Sequence, residues 1–216
     1  MDESTTVPIG RPRAFDIDEA LDRAVVVFWS QGFEGASLDD LTTAMGISRP
    51  SLYRAFGNKE DLFYKALERY TDGLTAYFAR ALAEPTSEAV ATSVLHGMVE
   101  AATMPGLPTG CLGVQGALAT GEESSPVRDA LIAWREDGVA HLTRRFQHAV
   151  DAGDLPASSD PRLLALYLRT VANGIAVQAT SGSTRAELLS VADLALASWP
   201  KPEPEPAEVS AGSVAS

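Results

Sequence analysis

Cysteine is almost missing from this chain: Cys111 is its one thiol, so there is no internal disulfide framework to look for. Long apolar runs are missing too. They stop at six residues, as in Ala24–Trp29, against the ~20 that a bilayer-spanning helix needs, and no membrane partner is expected. The opening "MDESTTVPIG" lacks a basic start and an apolar core, so it does not read as a secretory leader, and the cytoplasm is the expected location. Positive charge is scarce, with 17 Lys and Arg against 29 Asp and Glu and a formal net charge of -12. A uniformly acidic surface repels phosphate, which excludes a protein that coats nucleic acid indiscriminately but not one with a local basic face. Catalytic signatures are lacking as well. There is no GxSxG, HExxH, phosphate-loop or paired-cysteine motif and no marked carboxylate pair, so neither an enzyme nor a cofactor or metal site is expected.

Period-two alternation is also absent, and what remains reads as helix after helix. Ile17, Ala20, Leu21, Ala24, Val25 and Phe28 fall at helical spacing behind a capping box of Asp16 and Glu19, with Gly32 and Gly35 at the stop. "SLDDLTTAM" opens on a second box, Ser37 with Asp40, and Gly46 ends it. Ser48 caps a short third helix that tolerates Pro50 in its first turn. Asn58 caps a fourth, expected to run from Lys59 to about Ala83. Further helices are expected over roughly 87–103, 109–120, 125–152, 161–180 and 184–199, followed by a Pro/Glu-rich tail with almost nothing to bury. The fold class is all-α.

One stretch departs from the acidic background. "SRPSLYRAFGNK", Ser48 to Lys59, holds three basic residues and no acidic one. The apolar residues Leu38, Leu41, Met45, Ile47, Leu52 and Ala55 let two short helices cross steeply around a small core, with Gly46 at the turn. Arg49, Ser51, Tyr53 and Arg54 are then left facing outward. Such a face suits the major groove, where arginine reads guanine edges and hydroxyls reach phosphates or bases. Lys59 sits in the first turn of the next helix, a poor place for a cation unless a phosphate binds there. The alternative is an ordinary helical corner with solvated charges. Upstream, Gly10–Arg13 ("GRPR") reads either as an arm for the minor groove or as a plain tail.

Residues 15–64, and above all "GIS-RPSLYRAFGNKEDL", resemble the DNA-binding domain of the tetracycline-repressor (TetR/AcrR) family of bacterial regulators. The resemblance implies a helix-turn-helix domain over 15–60, after an N-terminal arm at 1–14. A ligand-binding and dimerisation domain would follow at 61–199, before a disordered tail at 200–216. It implies that Ser51 and Arg54 approach bases and that Pro50 touches a thymine methyl. Tyr53, Lys59 and the cap residue Ser37 would hold phosphates, Arg49 would take either role, and Ser48 would cap the reading helix. The implied function is a transcriptional regulator, a repressor released from its operator by a small molecule. "GCLGVQGAL" at 110–118 resembles the family's sixth helix.

The second domain is read from its residues. The last two helices are apolar on more than one face, which points to a homodimer, with Ala165, Ala172, Ala176, Ala192 and Ala195 allowing close helix approach. An effector cavity is expected among residues 70–180. Its expected lining is Phe78, Met98, Leu118, Trp134, Tyr167 and Val171, with Gln115, His141 and Gln178 as polar contacts. Such a lining suits a lipophilic or aromatic molecule. Each aromatic taken singly also fits plain core, and Cys111 fits a small buried hydrophobe. His141 and His148 lie about 10 Å apart along one helix face, too far to share a metal. The competing function is a helical module that binds a small molecule or a protein without operator recognition.

Overall fold

The computed structural model describes residues 15–118 and 125–202, with side chains described for 15–115 and 126–202. The expectations for the arm at 10–13 and for most of the tail fall outside those residues. Among the described residues there are ten helices and no strand: α1 (Ile17–Gly35), α2 (Leu38–Met45), α3 (Arg49–Phe56), α4 (Lys59–Asp72), α5 (Ala76–Leu82), α6 (Ser87–Ala102), α7 (Leu112–Leu118), α8 (Ser125–Asp151), α9 (Pro161–Thr180) and α10 (Arg185–Leu196).

Local chemistry accounts for most boundaries. Ser37 and Asp40, Asn58 and Asp61, and Thr184 and Glu187 form full capping boxes, and Asp160 caps α9 just before Pro161. At the first helix the box is only half made. The Asp16 carboxylate accepts from the amides of Asp18 and Glu19, while the Glu19 carboxylate turns away to pair with Arg23 four residues on. That i,i+4 geometry competes directly with the return bond of the box.

The fourth helix ends earlier than its apolar spacing predicts. It stops at Asp72; Gly73 takes φ -94° and ψ -82°, and the chain restarts as the separate α5 at Ala76. Glycine costs about 1 kcal/mol relative to alanine inside a helix. The hydroxyls of Thr71 and Thr75 bond back to the carbonyls of Leu67 and Thr71 on either side of the break. The seventh helix likewise starts at Leu112 rather than 109, after Gly110 at φ +88°.

In the first bundle, α1 packs on α2 and α4. Phe28, Trp29, Leu41, Leu52, Leu62 and Phe63 are fully buried there. The Phe63 ring meets Phe28 edge-on at 5.1 Å and Phe33 at 5.4 Å, and Trp29 meets Tyr70 at 5.3 Å. Beyond α4, α9 packs on α8 and α6, α10 covers α6 and α9, and α7 touches both α1 and α8. One continuous apolar cluster joins the two parts, from Phe28 to Phe146 and Ala172. Ala165, Ala172, Ala176 and Ala192, expected at a dimer face, are instead buried inside this protomer. Their small size serves the packing of α9 and α10 on their own neighbours.

Candidate nucleic-acid interface and effector cavity

The reading head is built by a glycine and two caps. Gly46 adopts φ 68° and ψ 31°, the left-handed region that lets α2 end and α3 leave at once. The Ser48 hydroxyl accepts from the Ser51 amide and fixes the start of α3, with Pro50 in the first turn. Leu52 and Phe56 are buried beneath, so the opposite face is held outward: Arg49, Pro50, Tyr53 and Arg54 are exposed and Ser51 is half-buried. Among the described residues Arg54 makes no hydrogen bond or ion pair.

Three details differ from the sequence expectation. The face is not free of acid, because the fold brings Asp39 of α2 beside α3. Its Oδ1 accepts from Arg49 Nη2 at 2.8 Å and Nε at 3.2 Å. The local reading missed this because Asp39 and Arg49 lie ten positions apart, across the turn. Lys59 is anchored at its tip: Nζ lies 4.5 Å from the centre of the Phe33 ring. Partial burial there lowers the pKa of Lys59, opposed by the negative charge of Glu34. Ser37 is already engaged, its hydroxyl donating to Asp40 Oδ2 at 2.6 Å and accepting from the Asp40 amide at 3.0 Å.

Deeper in the molecule a cavity of about 330 Å³ opens between α4, α5, α6, α8 and α9. Of the expected lining, Phe78, Met98, Trp134 and His141 border it. Gln115, Tyr167, Val171 and Gln178 do not. The Gln115 amide donates to the Thr109 carbonyl, and the Tyr167 hydroxyl to Ala195 on α10. Val171 packs half-buried against the core, and Gln178 faces solvent. Leu118 lies where side chains are not described.

The cavity has residues that the sequence reading did not single out. Arg169 of α9 is 8% exposed, and its guanidinium carbon lies 5.8 Å from the Phe78 ring centre and 5.7 Å from that of Trp134. The one available signal was a lone arginine sharing the inner face of α9 with Ala165, Ala172 and Ala176. Cys111 is buried and contributes its side to the wall, as does Tyr77. Burial, followed by the proximity of Cys111, pushes the Tyr77 phenol up and keeps it neutral. Trp134 Nε1 donates to Thr71 Oγ1 at 2.9 Å, tying α8 to the end of α4. Two glycines make room for the rings. A Cβ on Gly97 would lie 2.2 Å from Tyr77 Cδ2, and one on Gly113 would lie 2.3 Å from Trp134 Cζ3. A second hollow of about 420 Å³ lies among Val25, Val26, Tyr70, Leu74 and Leu107, edged by the Asp22–Arg69 pair. His96 pairs with Asp193 and His141 with Asp137, and no metal-ligating cluster occurs among the described residues.

Comparison with known proteins rests on this frame. Residues 20–66 match the model of bacterial regulatory proteins of the tetR family, and residues 90–189 match the tetracyclin repressor-like C-terminal domain. The chain is 30% identical over 194 residues to the HTH-type transcriptional repressor ComR of Escherichia coli (strain K12), covering 89% of this chain and 92% of that one. The chain belongs to the TetR family of bacterial transcriptional regulators. Among its TetR relatives is also an uncharacterized HTH-type transcriptional regulator, YezE of Bacillus subtilis (strain 168), 35% identical over 167 residues, 74% of this chain and 84% of that one. A cysteine-substituted form of the TetR regulator CifR, solved with a 26-bp double-strand operator DNA, superposes with a TM-score of 0.85 at 43% identity. That match covers 88% of this chain and all of that one.

Proposed function

We propose that this TetR protein is a repressor that binds an operator duplex as a homodimer and lets go when a small lipophilic or aromatic molecule fills its cavity. The observation that carries the DNA reading is the outer face of α3, where Arg54 stands exposed with no competing acceptor among the described residues. Arginine is the side chain best suited to read a guanine edge in the major groove. Tyr53, half exposed, and Lys59 flank it at positions suited to phosphates. Residues 15–60 form the reading head, and residues 61–199 hold the effector and the dimer face. The protein works in the cytoplasm, where the chromosome is. Its relatives named as repressors and the CifR complex with operator DNA agree with this assignment.

Coupling between cavity and reading head runs along α4. Lys59 opens that helix beside α3, while Thr71 and Asp72 close it at the cavity wall. A rigid rod of 14 residues spans about 20 Å, so a small tilt at one end is delivered to the other. An effector shifts the DNA-competent population only through its differential affinity, and a tenfold release takes about 1.4 kcal/mol. The test is selection of duplexes from genomic fragments by the purified protein at moderate salt. We expect enrichment of one sequence with two-fold symmetry. Enrichment of none would leave a binding module without operator recognition.

A further inference from the structure

We infer that the cavity takes its ligand by a carboxylate, and that Arg169 is the residue that binds it: the effector is an aromatic monocarboxylate, held with its ring among the apolar residues and its charge at the guanidinium. This deepens the proposed effector reading and rests on it.

Arg169 is more than nine-tenths buried and lines the cavity. Guanidinium does not deprotonate in proteins, so the charge cannot be shed. A buried charge is costly unless it is paired. Yet among the described residues no carboxylate lies within ion-pair distance of Arg169 and it makes no hydrogen bond; the Phe78 and Trp134 rings are its recorded partners. Ring faces compensate only part of a desolvated charge. A second cation makes the deficit larger. Arg135, which donates to the Gly113 carbonyl at 3.1 Å, has its pKa lowered by burial first and then by the charge of Arg169. Gly138 leaves the guanidinium uncovered on the α8 side, since a Cβ there would sit 3.6 Å from its carbon. The planar guanidinium fork thus borders the cavity with no hydrogen-bonded acceptor among the described residues.

The other charged groups set the ligand's class. Asp72 on α4 and Asp137 on α8 also border the cavity, and Asp137 pairs with His141 at 3.3 Å. Both acids are exposed, at the solvent rim, while the arginine is buried. Salt at physiological strength screens the exposed rim charges over about 8 Å, so a single negative charge at depth gains more than it loses in passing them. A dianion such as a phosphate monoester meets that rim twice as unfavourably. The space between rim and arginine is apolar: Ala76, Phe78, Leu82, Met98 and Trp134. At about 330 Å³ it is at the small end for ligand pockets and suits one or two rings.

The experiment is calorimetric titration of the full chain with indole-3-acetate and 1-naphthoate, each against its neutral amide, and with sodium chloride. The same titrations are run on Arg169→Met and Arg169→Lys. We expect each carboxylate to bind at least tenfold more tightly than its amide. Arg169→Met should erase that ratio while leaving amide affinity within threefold, and Arg169→Lys should keep part of it. Because the charge is uncompensated in the empty protein, Arg169→Met should melt at or above the wild-type temperature. Carboxylates no tighter than amides, saturation of the effect by chloride alone, or an unchanged ratio in Arg169→Met would each overturn the assignment. So would a lower melting point for Arg169→Met with the ratio intact, since that marks a purely structural arginine. A carboxylate preference that leaves operator affinity untouched would sink the release mechanism and spare this assignment.

Discussion

Arg49 and Arg54 sit five positions apart on the same short helix and meet different fates. The first is held by Asp39, and the second makes no hydrogen bond or ion pair among the described residues. Exposed pairs of this kind are worth about 0–1 kcal/mol, enough to bias a side chain away from DNA without forbidding contact. At the same scale, Ser37 keeps the Asp40 carboxyl below its ordinary value of 3.8, first through its hydroxyl and then through its amide. A carboxyl depressed in the folded state stabilises the protein above its unfolded value, and that contribution is lost as pH falls through the folded one. Ser37→Ala should therefore lower stability at pH 7 and lower it less at pH 3, where the carboxyl is partly protonated. Denaturant titrations at the two pH values check it, and equal costs would mean that the ionised Asp40 plays no part.

Among the elements, those with a chemical start signal were legible in the sequence. Ser37, Ser48 and Asn58 each announce a helix, and each caps one. Less legible was the break after Asp72, because Leu74, Tyr77 and Phe78 continue an apolar spacing across the three residues that separate α4 from α5. Of the expected lining, Gln115, Tyr167, Val171 and Gln178 fall elsewhere, because helical spacing alone does not say which face of α7 or α9 turns toward the cavity. Arg169 escaped notice because an inward charge in an apolar helix gains meaning only once its neighbours are known. Within "GCLGVQGAL", Gly113 is where the Trp134 ring approaches α7 too closely for any side chain. Gly113→Ala should displace that ring, lower stability by about 1–3 kcal/mol and shrink the cavity. Chemical denaturation together with a 1-naphthoate titration reads both effects. Wild-type stability and affinity in Gly113→Ala would remove the close packing from the account.

For the molecule as a whole, the face left over after the monomer has folded is apolar. On α9, Leu163, Leu166, Tyr167 and Val177 are exposed along one stripe, and on α10, Val191 and Leu194 continue it. Buried within one protomer, Ala165, Ala172, Ala176 and Ala192 contribute nothing to that stripe, which is made of larger side chains. A two-fold dimer that reads successive major grooves must set its two copies of α3 about 34–36 Å apart, and this apolar face is where it would form. Leu194→Arg, at the most exposed of these positions (75%), should give a monomeric mass by light scattering at micromolar protein and weaken operator binding without unfolding the chain. A persistent dimer would move the interface elsewhere. The claim on which everything else depends is that α3 reads bases through Arg54. Its most direct test is the fluorescence-anisotropy isotherm of the selected operator with wild type, Arg54→Ala and Arg49→Ala. We predict a loss of about 1–3 kcal/mol for Arg54→Ala, roughly 5- to 160-fold, with relaxed discrimination at one or two base pairs and a smaller loss for Arg49→Ala. An Arg54→Ala isotherm that overlays the wild type on the operator and on its point variants would contradict the account.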